Sequence, residues 1–240
     1  MIDWLTRSAS EQQIAIGDKS VPIVIRRLKS AKRLTLRLAP DGSEVRVSMP
    51  KWAPTREAIA FAHSRADWLS AQAAKIPRRE APQAGGTVLY RGETLTIGWD
   101  EKARRTPARD GDILRVGGPV EGIEPRIRRW LEREALHLFE SDARDYCAVA
   151  RIEPVPVALS RAQKRWGSCS DRRRIRLNWR LVQAPDHVRR SVVAHEVAHL
   201  VHFDHSPAFH ALLGQIYEAD IRIADRWLKE HGRSLYAAFG

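Results

Sequence analysis

The stretch SVVAHEVAHLVHFDHSPAF, Ser191 to Phe209, constrains the fold more than any other part of the chain, because it sets imidazole and carboxylate side chains inside an apolar run. Val188, Val192, Val193, Val197, Leu200 and Val201 recur so densely that the helix they predict is apolar on nearly every side, hence buried. Asp186, following Pro185, is its expected N-cap. A buried helix cannot leave His195, Glu196 and His199 without partners, since desolvating an unpaired polar group costs on the order of 2 kcal/mol or more. The chain must fold so that something satisfies all three.

His195 and His199 stand four residues apart, so on a helix both imidazoles project from one face with Glu196 beside them. This His-Glu-x-x-His spacing offers two metal ligands and a general base from one turn, and zinc, one ion per chain, is the cofactor it predicts. A catalytic zinc site takes three protein ligands and keeps a fourth position for water. His202 continues the same face, but a straight helix cannot wrap three side chains around one ion, so His202 reads as a packed neighbour or an orienting partner. Ser206 and Pro207 form an N-cap and first-turn pair that announces a new helix. The first helix should therefore end near Phe203 or Asp204, leaving His205 at a corner from which it can swing back. Glu218, nineteen residues after His199, is the competing third ligand. The bend favours His205 and leaves Glu218 open.

Three motifs resemble a known family: RWGSCS at Arg165 to Ser170, LNWRL at Leu177 to Leu181, and HEVAHLVHFDHSPAF. Together they are similar to the YgjP-like zinc metallopeptidases, bacterial members of the wider zincin group. The resemblance spans most of the chain, and these C-terminal motifs are its specific part. It implies a metal-dependent hydrolase of peptides or proteins in which His195, His199 and His205 hold zinc and Glu196 is the catalytic carboxylate. Two positions depart from the pattern: Asp204 stands where Asn is expected, and His210 where Trp is expected.

In such a site zinc lowers the pKa of its water to about 7, and Glu196 takes the proton and returns it to the leaving amine. Arg165, His210 and Tyr217 are candidates by residue type for stabilising the oxyanion. In a zincin-like arrangement an edge strand accepts an extended peptide by strand addition. The expected strand is Lys164 to Ser170, with Arg165 and Trp166 in contact with substrate and Gly167 allowing close backbone approach. The competing reading of Arg165 and Trp166 is packing within the domain.

Alternation at Val21, Ile23 and Ile25, at Leu34, Leu36 and Leu38, and at Val45, Val47 and Met49 predicts a small antiparallel sheet with a turn at Asp41-Gly42. A helix then runs from Pro54 and Thr55 to about Lys75, burying Ile59, Ala62, Ala66 and Leu69. KIPRREAPQAGG, from Lys75 to Gly86, reads as a linker or exposed loop. Leu95, Ile97 and Trp99, then Ile113, Leu114 and Val116, predict two strands around the Arg104 to Gly111 loop. A long helix follows from about Glu124 to Cys147. Val155, Val157 and Leu159 begin a strand, and Ile175 to Leu181 alternate as another, with a hairpin through DRRR. The motif helix, a short helix from Ser206 and a last helix with Ile221, Ala224 and Leu228 facing in complete the chain. No internal repeat is visible. Strands grouped ahead of helices indicate an α+β fold. Its expected parts are 1–85 (strands plus helix), 86–120 (β-hairpin) and 121–240 (zincin-like catalytic domain with a β-hairpin), or all three form one compact unit.

Composition bounds class, compartment and partners. First, 43% hydrophobic and 29% charged residues in a chain of 240 exclude disorder. Second, no apolar run spans a bilayer and MIDWLTRSASEQQ lacks the layout of a signal peptide, so a cytoplasmic protein is expected. Cys147 and Cys169 then form no disulfide framework, and Cys169 reads as a buried thiol rather than a ligand or nucleophile. Third, the net charge of +12 attracts acidic partners, nucleic acid among them. The cations are scattered with no aromatic-interleaved stripe, so the charge alone names no partner. The alternative function is a basic nucleic-acid-associated protein, either with a structural zinc site or acting on nucleic-acid-bound proteins.

Overall fold

The computed structural model describes residues 12–39, 42–74, 76 and 80–239. The chain divides into two compact units, 1–78 and 79–240. Segment 86–120 shares the hydrophobic core of the second. The architecture is α+β, as expected, with six α-helices and three sheets among the described residues.

In the first unit β1 (Gln13–Ile16), β2 (Lys19–Leu28), β3 (Thr35–Leu38) and β4 (Val45–Pro50) form one sheet in the order β1-β2-β4-β3. Its inner face buries Val21, Ile23, Val45, Val47 and Met49. The sheet is mixed rather than antiparallel throughout: β2 and β4 are parallel neighbours, because β3 serves as the crossover that parallel pairing requires. The expected turn at Asp41-Gly42 lies half outside the described residues. Gly42, at φ +73°, donates its N–H to the Ala39 carbonyl (2.9 Å). The single helix expected up to Lys75 is two helices, α1 (Thr55–His63) and α2 (Ala66–Ala73), and Lys75 lies outside the described residues. Ser64 explains the break: its hydroxyl donates to the Phe61 carbonyl (2.9 Å), competing with the helical ladder.

The second unit opens on β5 (Thr87–Tyr90), β6 (Glu93–Asp100), β7 (Ala108–Asp110) and β8 (Ile113–Gly117), in the order β5-β6-β8-β7. Here too the outer pairs are antiparallel and the inner pair parallel, the topology of the first sheet repeated without a visible sequence repeat. Strand pairing needs only alternation and turns, so two unrelated sequences can share it. α3 (Ile123–Val149) follows and supplies Ile127, Trp130, Leu131, Ala135 and Phe139 to the core.

A third sheet has the order β10-β11-β9, from β9 (Val157–Ser160), β10 (Gly167–Cys169) and β11 (Ile175–Asn178). The hairpin through 171–174 joins β10 to β11, with Arg173 at φ 52°. β11 stops at Asn178 rather than continuing to Leu181. The Asn178 side-chain oxygen accepts the Arg180 N–H (3.1 Å) and turns the chain into a 3₁₀ helix over 179–183, every residue of which is buried. α4 (Asp186–Ala198), α5 (Pro207–Ile216) and α6 (Ile221–His231) close the unit. Among the described residues no helix is long and apolar enough to cross a membrane.

Candidate metal centre

α4 buries Val188, Val192, Val193 and Val197 as its pattern predicts; just beyond its end Leu200 is buried too, whereas Val201 is 43% exposed. The helix ends at Ala198, well before Phe203. The Leu200 and Val201 N–H groups bond three residues back, to Val197 (3.0 Å) and Ala198 (3.1 Å), a tightening that stops the α ladder. At the other end Asp186 lies inside the helix and makes no side-chain cap; its carboxylate takes Arg91 and Arg189 instead.

The early stop makes the corner that His205 needs. Ser206 caps α5, accepting the Phe209 N–H (3.4 Å) with Pro207 in the first turn. The turn before it carries His205 back over α4. His195 Nε2 lies 3.1 Å from His199 Nε2 and 3.3 Å from His205 Nε2. The ligand atoms of all three lie within 4.8 Å of one another. The fully buried ring of Phe209 backs the cluster, 5.0 Å, 4.5 Å and 4.9 Å between centroids from His195, His199 and His205.

These residues fit a metal ion. The His199 Nδ1 faces the His202 carbonyl at 3.0 Å, a contact in which the ring nitrogen donates, and this fixes the ring with its Nε2 turned toward His195. His202 thus orients the site through its main chain. Burial, and then the charges of His199, His205 and His210, hold the His195 imidazole down at about 4, which keeps the ring in its neutral, ligating form. Three imidazole nitrogens at this spacing suit zinc. Glu218 is engaged elsewhere: Tyr146 donates to it (2.8 Å), as does Arg190 (2.5 Å).

Glu196 is 6% exposed and its carboxylate lies against β10. The Cys169 N–H donates to it and Arg165 stands near enough to act through charge, but burial outweighs both and pushes the carboxyl up to about 7. Gly167 makes the contact possible. A Cβ there would collide with Glu196 Oε1 and come within 2.7 Å of its Cγ, so the side chain packs directly on the glycine backbone. Gly167→Ala is therefore expected to displace the carboxylate and destabilise the fold by about 1–3 kcal/mol through overpacking. Chemical denaturation, read beside the zinc content, checks this; a fully stable variant with an unmoved Glu196 would refute the contact.

The other expected site residues divide between the rim of the site and the core. The Trp166 ring packs against Tyr236 (5.8 Å between centroids) inside the domain, while Arg165 is exposed. His210 lies beside the triad, 6.4 Å from His205 between ring centroids. Tyr217 is a core residue whose hydroxyl donates to the His187 carbonyl (2.8 Å). The half-buried Cys169 thiol is pushed up to about 11 by burial and the Glu196 charge, and so stays protonated.

Sequence reasoning missed the ion pairs that hold α4. Asp142, buried on α3, accepts from Arg189 (2.8 Å) and Arg190 (2.9 Å), which otherwise read as surface charge. Its signal was present: Asp142 falls in step with Leu138, Phe139, Ala143 and Tyr146 on the apolar stripe, where a carboxylate demands a cation.

Two histidines from one helical turn, a third from the corner after it and a buried carboxylate between them define a metallopeptidase-type domain. The particular family follows from comparison: the model of the YgjP-like, metallopeptidase domain matches residues 32–231, and the chain belongs to that family. No curated protein and no solved structure matched the chain.

Proposed function

We propose that the protein is a zinc-dependent peptidase, with His195, His199 and His205 as the metal ligands and Glu196 as general base. The observation that carries this reading is the convergence of three imidazole nitrogens beside a buried carboxylate that rests on the backbone of an edge strand. When bound, the ion would supply an acidified water and polarise the scissile carbonyl. The chain's own groups do the rest. Glu196, steadied by the Cys169 N–H, accepts the proton of the attacking water and passes it to the leaving amine.

β10 supports a peptide substrate. It is an edge of its sheet, and the Trp166 carbonyl and Ser170 N–H already bond to β11 and the turn before it. By the alternation of antiparallel pairing, Gly167 and Cys169 turn their polar backbone groups away from β11; with the Cys169 N–H given to Glu196, the Gly167 N–H and carbonyl and the Cys169 carbonyl line that edge. An extended peptide can pair along that edge with its scissile bond carried past Glu196. Arg165 and His210, both exposed beside the site, are the candidates for stabilising the oxyanion.

The competing structural-zinc reading is disfavoured because structural sites close with four protein ligands, whereas three residues cluster here among the described residues. The test is a quenched-fluorescent peptide library incubated with zinc-loaded protein. Cleavage that a chelator abolishes and added zinc restores is the expected result. Stoichiometric zinc with no cleavage of any peptide would overturn the peptidase assignment.

A further inference from the structure

Residues 1–78 hold fourteen Lys and Arg against seven Asp and Glu, a net +7 of the chain's +12 in under a third of its length. Five of these cations fall within the eight residues Arg26 to Arg33. Strand register gathers them at one end of the first sheet. β2 and β4 run side by side in the same direction, with Arg26 opposite Ser48 and Leu28 opposite Pro50, and β3 begins with Thr35 opposite Ser48. The exit of β2, the connection 29–34 and the exit of β4 into Lys51 therefore share that end. Arg26, Lys29, Lys32, Arg33 and Lys51 are all exposed there, and no carboxylate among the described residues pairs with them.

Trp52 stands in the same place, 79% exposed. Its turn is braced by Arg27, whose guanidinium donates to the carbonyls on both sides of it, Lys51 (2.9 Å) and Ala53 (2.7 Å), and to Thr55 Oγ1 (2.8 Å). The indole is thus held out in water on a fixed turn. An exposed flat ring and a cluster of mutually repelling cations are both unfavourable alone, and one kind of ligand relieves both: a polyanion with flat aromatic faces.

We propose that this end of the sheet binds single-stranded nucleic acid, with a base stacked on Trp52 and the flanking phosphates along Arg26, Lys29, Lys32, Arg33 and Lys51. A duplex offers no free base face to the indole. An anionic membrane would need a broader apolar face, and Leu28, 43% exposed, is the large apolar side chain that shares this end with Trp52. An acidic protein would meet the charge but make no use of the ring face.

The test uses the full chain and the fluorescence anisotropy of a short labelled oligothymidylate. Trp52→Ala is expected to weaken binding about tenfold, and Trp52→Phe, which keeps an aromatic face, by no more than about threefold. Lys32→Ala with Arg33→Ala should lower the slope of log affinity against log salt by about 1.4, roughly 0.7 for each phosphate that is no longer neutralised. Trp52 is on the surface, so unchanged thermal melting of its variants separates a missing stacking face from a damaged fold. Wild-type affinity in Trp52→Ala would overturn the proposal. So would a duplex of equal length that binds as tightly, or depletion of the protein by phosphatidylserine vesicles without oligonucleotide binding.

Discussion

Glu196→Gln is expected to keep wild-type zinc content and lose turnover by about 10²–10⁴-fold, the range that a general acid–base group supplies. Glutamine is nearly isosteric, so it preserves the packing on Gly167, and its side-chain oxygen still accepts the Cys169 N–H. Only the capacity to accept and return a proton is removed. A loss confined to kcat, with KM nearly unchanged, is the signature of a group that acts in the transition state. The measurement pairs elemental mass spectrometry with initial rates on a cleaved peptide. A variant that turns over at the wild-type rate would remove Glu196 from the reaction, whatever the metal content.

The second large effect concerns the third ligand. His205→Ala should lower zinc affinity by more than the 10–100-fold that an outer-shell partner is worth, because two imidazoles cannot enclose the ion. Glu218→Ala should leave zinc bound. Its carboxylate is committed to Tyr146 and Arg190, so its removal loosens that cluster rather than the site. Competition with a fluorescent zinc chelator reads both variants. Zinc retained in His205→Ala and lost in Glu218→Ala would reverse the assignment of the third ligand.

Much of this is legible in the amino-acid sequence. The shared face of His195 and His199 follows from helical periodicity, and the start of α5 from the chemistry of Ser206 and Pro207. The long α3 and the α+β class follow from the spacing of apolar residues. What is not legible depends on partners distant in sequence. Nothing local to Arg189 announces Asp142, 47 residues away, and nothing local to Gly167 announces the Glu196 side chain. Asn178 looks like one more position in an alternating strand until its side chain meets the Arg180 N–H and ends it.

By itself, then, the sequence determined which residue types could meet: two imidazoles and a carboxylate on one turn, and a capped helix start just downstream. Local periodicity and capping carry that information, because they act over three or four residues. Only the tertiary structure decided that α4 stops at Ala198, that His205 rather than Glu218 joins the pair, and that β10 lies under Glu196. These outcomes depend on where separate elements pack, and on buried ion pairs between α3 and α4 that no short window of sequence contains.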